Sequence, residues 1–341
     1  MRLIAAPDKF RGTIDATDAA AAIADAARSR GWLADELPLS DGGEGFAKIL
    51  GGRQREVSVA GPLGRAVMAH SVWSDDGLTA VIEMAEAAGR GLLPSPQGDD
   101  PVRADTTGVG QLIVDAVAHG ATTIIVGCGG SATTDGGHGA IVAIDDAGGL
   151  GTATLLVATD VTTRFIDAAR VFAPQKGATP EQVVTLERRL EALAGSLARR
   201  CGHDIASLER SGAAGGLAGG LMALGAQAVS GFDLLADLLS LDELAVDADL
   251  IITGEGRLDA SSLEGKVVVG LARRLPLTLP LCVVAGSVED GMAERLSELR
   301  GASVVVRSVS ELVGDTFSRT APHRALQLAV EDLLGEVAIG G

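Results

Sequence analysis

Four glycine-rich stretches carry most of the side chains that could do chemistry. Ser40–Asp41–Gly42–Gly43–Glu44–Gly45 sets two carboxylates in a loop with little bulk between them. Gly127–Cys128–Gly129–Gly130–Ser131–Ala132–Thr133–Thr134–Asp135–Gly136–Gly137 follows the apolar run Thr122–Val126. Thr253–Gly254–Glu255–Gly256–Arg257–Leu258–Asp259 follows Leu250–Ile252, and Gly265–Lys266 opens the next helical pattern. Ser211 to Gly225 holds six glycines around a further helical pattern. Small residues after strands let backbone N–H groups approach an anion, and a following helix N-terminus adds a favourable dipole. Each stretch alone also reads as an ordinary strand-to-helix connection. Three of them carry Asp or Glu, and together they suit a Mg²⁺–nucleotide site, because Mg²⁺ takes oxygen ligands and shares them with phosphates.

Other chemistries fit less well. Gly127–Ala132 matches GxGxxA, with Asp145 and Asp146 near the place of a ribose-binding acid, which is the pattern of an NAD-dependent 2-hydroxy-acid dehydrogenase. The continuation Thr133–Gly137 is too polar and glycine-rich for the first turns of a packed helix. Gly265–Lys266 lacks the rest of a Walker A sequence, and the protein-kinase signatures are absent. The cation choice adds a hint: only four of the 28 basic residues are lysines. Three of these, Lys9, Lys176 and Lys266, sit in loop motifs, where a compact ammonium suits a phosphate. Chance placement among four residues is the competing explanation.

Composition narrows the classes further. A net charge of −17 over 341 residues with no basic tract makes nucleic acid and anionic membranes poor partners. The start, MRLIAAPDKF, meets a proline and two charges too early for a signal peptide, and no apolar run of about 18 residues occurs. A cytoplasmic protein is expected. The three cysteines and five histidines have no ligand spacing, which argues against disulfides and built-in zinc. Aromatics at 2%, with no tyrosine, exclude base-stacking platforms.

The elements that must position these loops read as α/β. Leu3–Ala6 and Glu36–Leu39 predict strands around a helix over Asp15–Arg30. Leu250–Thr253, Leu281–Ala285 and Ser303–Val306 alternate with helical patterns at 266–274, 292–300 and 324–334. Such alternation predicts a Rossmann-like parallel-sheet domain built from both chain ends, residues 1–62 and 232–341. Residues 63–231 are expected to form an inserted second α/β domain, with strands at Val81–Met84, Thr122–Val126 and Leu155–Ala158. Its clearest helix opens at Thr179–Pro180–Glu181–Gln182, a capping box with proline at the first position. Val183, Leu186, Leu190, Leu193 and Leu197 then mark its buried face.

The stretches APDKFRGT, LSDGGEG, VAGPLGR, AVIEMAEAAG, DTTGVGQLI, IIVGCGGSATTDGGHGA, FAPQKGATPE, GAAGGLAGGL and DLIITGEGRLDASSLEGKVVVGLA occur in this order along nearly the whole chain. In them the sequence resembles the bacterial glycerate kinases of the type that forms 2-phosphoglycerate. The resemblance implies ATP-dependent phosphorylation of D-glycerate with Mg²⁺, in a cleft between two α/β domains. It implies a small-molecule acceptor and ATP as partners, with a homo-oligomer allowed. Carried onto this chain, Lys266 and Arg257 would meet ATP phosphates, with Gly254, Gly256, Gly129, Gly130 and Ser131 lining the nucleotide. Lys9, Arg11 or Lys176 would meet the acceptor carboxylate or the transferred phosphoryl, and Thr107 and Asp160 the acceptor. Asp41, Glu44 and Glu255 are candidate Mg²⁺ ligands. Asp135 is the expected general base, with Asp8 as second choice.

The departures from the family pattern fall on the acceptor side. The family usually writes APDSFKG, where this chain has Lys9 and Arg11. The segment after Gly149 is shorter than is typical, Asp160–Val161 lacks the usual Asn-Pro, and Ser261 replaces Gln. They motivate one rival reading, a degenerate kinase that binds ATP or a sugar acid without turnover.

Overall fold

The computed structural model describes residues 1–93, 100–264 and 266–337, so Gly265 lies outside the described residues. The strands in the first half are β1 (Arg2–Ala5), β2 (Leu33–Glu36), β3 (Arg53–Ala60), β4 (Ala66–Trp73), β5 (Thr79–Glu83) and β6 (Thr123–Gly127). Those that follow are β7 (Thr154–Ala158), β8 (Gln227–Val229), β9 (Leu250–Leu258), β10 (Leu281–Val288) and β11 (Val304–Ser308). They form two sheets in two compact units, Met1–Asp41 with the chain from Phe232 onward, and Gly42–Gly231. The protein is α/β.

In the first unit the sheet is parallel throughout, in the order β11-β10-β9-β1-β2. Its central strands β1, β9 and β10 are apolar on both faces because helices cover both. One face packs Leu3, Ile252 and Val284 against Ile23 and Leu326, and the other packs Val283 and Leu258 against Val268, Met292 and Leu296. The first helix, Ala16–Ser29, starts where Asp15 accepts the Asp18 N–H, and its alanine face fits closely on the sheet. The strand order turns around between β1 and β9, and the loops at that switch point form the natural ligand crevice of an open parallel sheet.

The second unit has the order β3-β4-β5-β6-β7-β8, antiparallel at β3-β4-β5 and parallel beyond. This moves the expected boundary near residue 62 to 41/42. Gly61–Pro62–Leu63–Gly64 is the turn of the β3–β4 hairpin, closed by Gly61 N donating to Arg65 O at 2.6 Å, so the chain from Arg53 already belongs to the second sheet. The helix Pro180–Cys201 carries the expected capping box, with Thr179 N donating to Gln182 Oε1 at 2.8 Å. It buries Leu186, Leu190 and Leu197, each contributing about 1.5–3 kcal/mol.

The stretch Thr253–Leu258, expected as a loop, is strand. It continues β9 and pairs with β10 as far as Leu258 beside Val288. Glycine at 254 makes this possible, because a Cβ there would stand 2.1 Å from the Val284 carbonyl oxygen. Gly254, Glu255, Gly256 and Arg257 therefore lie on a rigid strand end rather than in a loop.

Candidate active site

Three neighbouring segments run past the strand ends of the first unit side by side. Ala6 N donates to Ile252 O at 2.8 Å and Asp8 N to Gly254 O at 2.9 Å, which keeps the chain after β1 zipped to β9. On the other side, Leu37 N donates to Ala5 O at 2.8 Å and Leu39 N to Pro7 O at 2.9 Å. The Thr253 hydroxyl donates to Ala6 O at 2.7 Å and ties the same strands together. Each segment brings one acid to the switch point: Asp41, Asp8 and Glu255.

Their electrostatics are those of crowded carboxylates out of water. Burial pushes Asp8 up to about 7; the neighbouring Asp41 and Glu255 add to the rise, while Lys9 and its backbone N–H, 2.7 Å from Asp8 Oδ1, oppose it. Burial also raises Glu255, against Ser262 and Lys266, and Asp259 and Asp41 reinforce it. Oε1 of Glu255 is buried with no hydrogen-bond partner, as is the Ser40 hydroxyl beside Asp41. An orphaned carboxylate oxygen among like charges fits a hard divalent cation. Among the described residues no group of three or more His, Cys, Asp or Glu forms a complete metal cage. Mg²⁺ needs none, since it keeps waters and binds through one or two carboxylates plus phosphates. Glu44, the third candidate ligand, is exposed and lies in the second unit.

Two cations stand near the same strand end, Arg257 on β9 and Lys266 at the start of the helix Val267–Arg274. Lys266 Nζ is 3.7 Å from Glu255 Oε2 and donates to the Ser261 hydroxyl at 3.1 Å. Arg257 pairs with Asp259 at 3.0 Å with its side chain 70% exposed, a pairing worth about 0–1 kcal/mol that a phosphate can displace. Arg11 is exposed and helps line a cavity of about 290 Å³ formed by Phe10–Ile14, Gly256, Ser287, Val309, Ser310, Arg319 and Leu326 with their neighbours.

The second unit holds the other acidic and cationic candidates. Asp135 is 4% exposed, and both oxygens accept hydrogen bonds. Oδ2 accepts from Thr106 N (3.0 Å), Thr106 Oγ1 (2.7 Å) and Gly139 N (3.1 Å), and Oδ1 accepts from Gly137 N (3.1 Å). It clamps the start of the helix His138–Asp146 to Thr106, the residue before the helix Thr107–Ala118. Oδ1 accepts only the one bond from Gly137 N and keeps acceptor capacity, and the same carboxylate lines the cavity that Thr107 and His138 share. Lys176, expected to meet the acceptor carboxylate, is 4% exposed, and its ammonium donates to Thr133 O at 2.5 Å over the Phe172 ring. Burial lowers it to about 7, partly offset by Asp135, with Arg90 lowering it further. It holds the glycine-rich loop from inside.

The remaining candidates follow the same pattern. Gly129 is small because a Cβ would stand 2.2 Å from Gly43 Cα, and Ser131 bridges to Gly89. These contacts, with Arg90 N donating to Gly130 O at 3.0 Å, account for Gly129–Ser131 by packing within the unit. Asp160 lies 3.5 Å from Arg210, whose φ of 68° is a left-handed conformation rare for a side-chain-bearing residue. Thr107 lines a cavity of about 570 Å³ with Arg103, Asp105, Asp135, His138 and Arg189. Sequence reasoning assigned no role to Arg103, His138 or Arg189, although His138 falls in the stretch IIVGCGGSATTDGGHGA. The GxGxxA reading fails locally, since helix begins only at His138. Cys128 is buried, which pushes its thiol to about 12 and removes it as a nucleophile.

The model of the glycerate kinase family matches residues 3–147 and 146–332, in two pieces that meet beside the shortened segment after Gly149. The glycerate 2-kinase of Escherichia coli K12 is 36% identical over 85% of this chain and 86% of its own length. A Mycobacterium tuberculosis protein with no described activity is 41% identical over 98% of this chain and 89% of its own. A crystal structure of a Salmonella typhimurium LT2 protein described as a glycerate kinase 2 superposes with a TM-score of 0.82 at 31% identity, covering 100% of this chain and 99% of that one. No helix among the described residues is long and apolar enough to cross a membrane.

Proposed function

We propose that this chain, which belongs to the glycerate kinase family and is a kinase of glycerate, phosphorylates D-glycerate at its 2-hydroxyl with Mg²⁺-ATP. The observation that carries the reading is the acid cluster at the switch point, with Glu255 Oε1 buried and unpartnered. Phosphoryl transfer asks the protein for positioning and charge neutralisation more than for covalent chemistry. Asp41 and Glu255 would hold Mg²⁺, which when bound neutralises phosphate charge.

Asp8 is the proposed proton acceptor. It is 7% exposed, fixed through its own N–H to β9, and close to the cation Lys9. As the acceptor hydroxyl oxygen bonds to the γ-phosphorus, its proton passes to Asp8 and the bond to the β,γ-bridging oxygen breaks, leaving ADP. Both reactants are anions and the chain carries a net charge of −17, so local cations must reverse the field. Lys266 and Arg257 serve the ATP phosphates, and Lys9 with Arg11 the transferred phosphoryl. A ³¹P NMR spectrum of the product from Mg²⁺-ATP and D-glycerate tests the reading. A 2-phosphoglycerate resonance supports it, a 3-phosphoglycerate resonance overturns the regiochemistry, and ligand binding without product leaves a non-catalytic binding protein.

A further inference from the structure

The cavity in the first unit has two unlike walls. Phe10, Ile14, Val309 and Leu326 supply apolar surface, and Ser310 and Ser318 supply hydroxyls facing them. Its volume of about 290 Å³ stands at the small end of ligand sites, which run from about 300 Å³ upward. Arg11 and Arg319 also line it against one carboxylate, Asp315, and among the described residues neither guanidinium has an ion-pair or hydrogen-bond partner. In so acidic a chain, two uncommitted arginines mark a place for an anion.

The cavity and the acid cluster are built on the same two chain segments. Phe10 lies two residues after Asp8 in one loop, and Gly256 directly follows Glu255 on β9. A ligand that fills the cavity and also reaches the acids must pair a flat, largely apolar head with an anionic tail. D-glycerate has no such head. We propose that this cavity receives the nucleoside end of ATP, with the base against Phe10, Val309 and Leu326 and the phosphates leaving past Arg11 and Arg319. The inference deepens the ATP reading above and rests on it.

The test separates the nucleoside from the phosphates. Affinities for ATP and for inorganic tripolyphosphate, both with Mg²⁺, are measured by calorimetry on the full chain. The wild type is expected to bind ATP about tenfold or more tightly than tripolyphosphate, the difference being the nucleoside's share. In Ser318→Trp, whose ring fills the cavity, that ratio collapses towards one while tripolyphosphate affinity and KM for D-glycerate hold. Ser310→Leu is the milder second variant, should the tryptophan lower Tm, and is expected to lower the ratio of ATP to tripolyphosphate affinity with Tm unchanged. An unchanged ratio in folded Ser318→Trp, or a rise in KM for D-glycerate alone, overturns the assignment of the cavity and leaves ATP as the phosphoryl donor. A wild type that neither binds nor consumes ATP overturns the ATP reading itself, and is recognised before any variant is made.

Discussion

Lys176→Met offers a quantitative check on the interior of the second unit. Burial takes the lysine from its ordinary 10.5 to about 7 in the folded chain. The folded value is depressed, so the cost of the charge is absent above about 10.5, grows as pH falls, and levels off below about 7. The full cost is roughly 3.5 pH units at 1.36 kcal/mol each, or about 5 kcal/mol. Removing the lysine also loses the bond to Thr133 O and leaves that carbonyl unpaired, each term about 1–3 kcal/mol. Those losses depend little on pH, whereas the charge cost at pH 9.5 is only about 1 kcal/mol. The stability difference between variant and wild type should therefore move by about 3 kcal/mol in the variant's favour between pH 9.5 and pH 7.

Urea denaturation of both proteins at the two pH values, followed by far-UV circular dichroism, reads this directly. The same variant should lower kcat, through a slackened loop, more than it raises KM for D-glycerate. An identical stability difference at both pH values would refute the reasoning. It would mean that the ammonium is hydrated and charged throughout, and a large rise in KM for D-glycerate would then return Lys176 to the substrate.

Asp8→Asn should lower kcat roughly 10²- to 10⁴-fold at nearly constant Tm, the range for a general base, and steady-state kinetics giving a near-normal kcat would remove it from that role. Asp135→Asn presents an N–H to donors that now meet an oxygen, and should cost about 1–3 kcal/mol of stability by chemical denaturation; unchanged stability with kcat abolished would restore Asp135 as the base. Mg²⁺ should raise the Tm of the wild type more than that of Glu255→Gln, and equal shifts would place the ion elsewhere. The shortened segment after Gly149 should reduce discrimination among D-glycerate, L-glycerate, glycolate and tartronate by about 1–3 kcal/mol relative to the E. coli glycerate 2-kinase, read as ratios of kcat/KM; equal ratios would show that other residues restore the lost contacts.

What was legible in the sequence, and what was not, divides along physical lines. The parallel strands, the helix at Pro180 and the acid-bearing stretches announce themselves through period, capping and composition, all local properties. The hairpin β3–β4 did not, because Arg53–Glu56 is polar and mostly solvent-facing, so no buried stripe marks it. The strand end at Gly254–Arg257 read as loop because glycine normally weakens a strand, whereas here its missing Cβ admits the Val284 carbonyl. The proposal of Asp8 as the base turns on something no local pattern holds: which donors reach a carboxylate. Asp135 and Asp8 both sit beside small residues, but Thr106, 29 positions away, takes one oxygen of Asp135 through two hydrogen bonds. Asp8 meets instead its own neighbour's N–H and two other acids. A carboxylate held by several donors braces a fold, and one crowded by acids is poised to take a proton or face a cation. That distinction is set by long-range contacts, so the residue types name the candidates and only tertiary contacts give a reason to propose Asp8 ahead of Asp135.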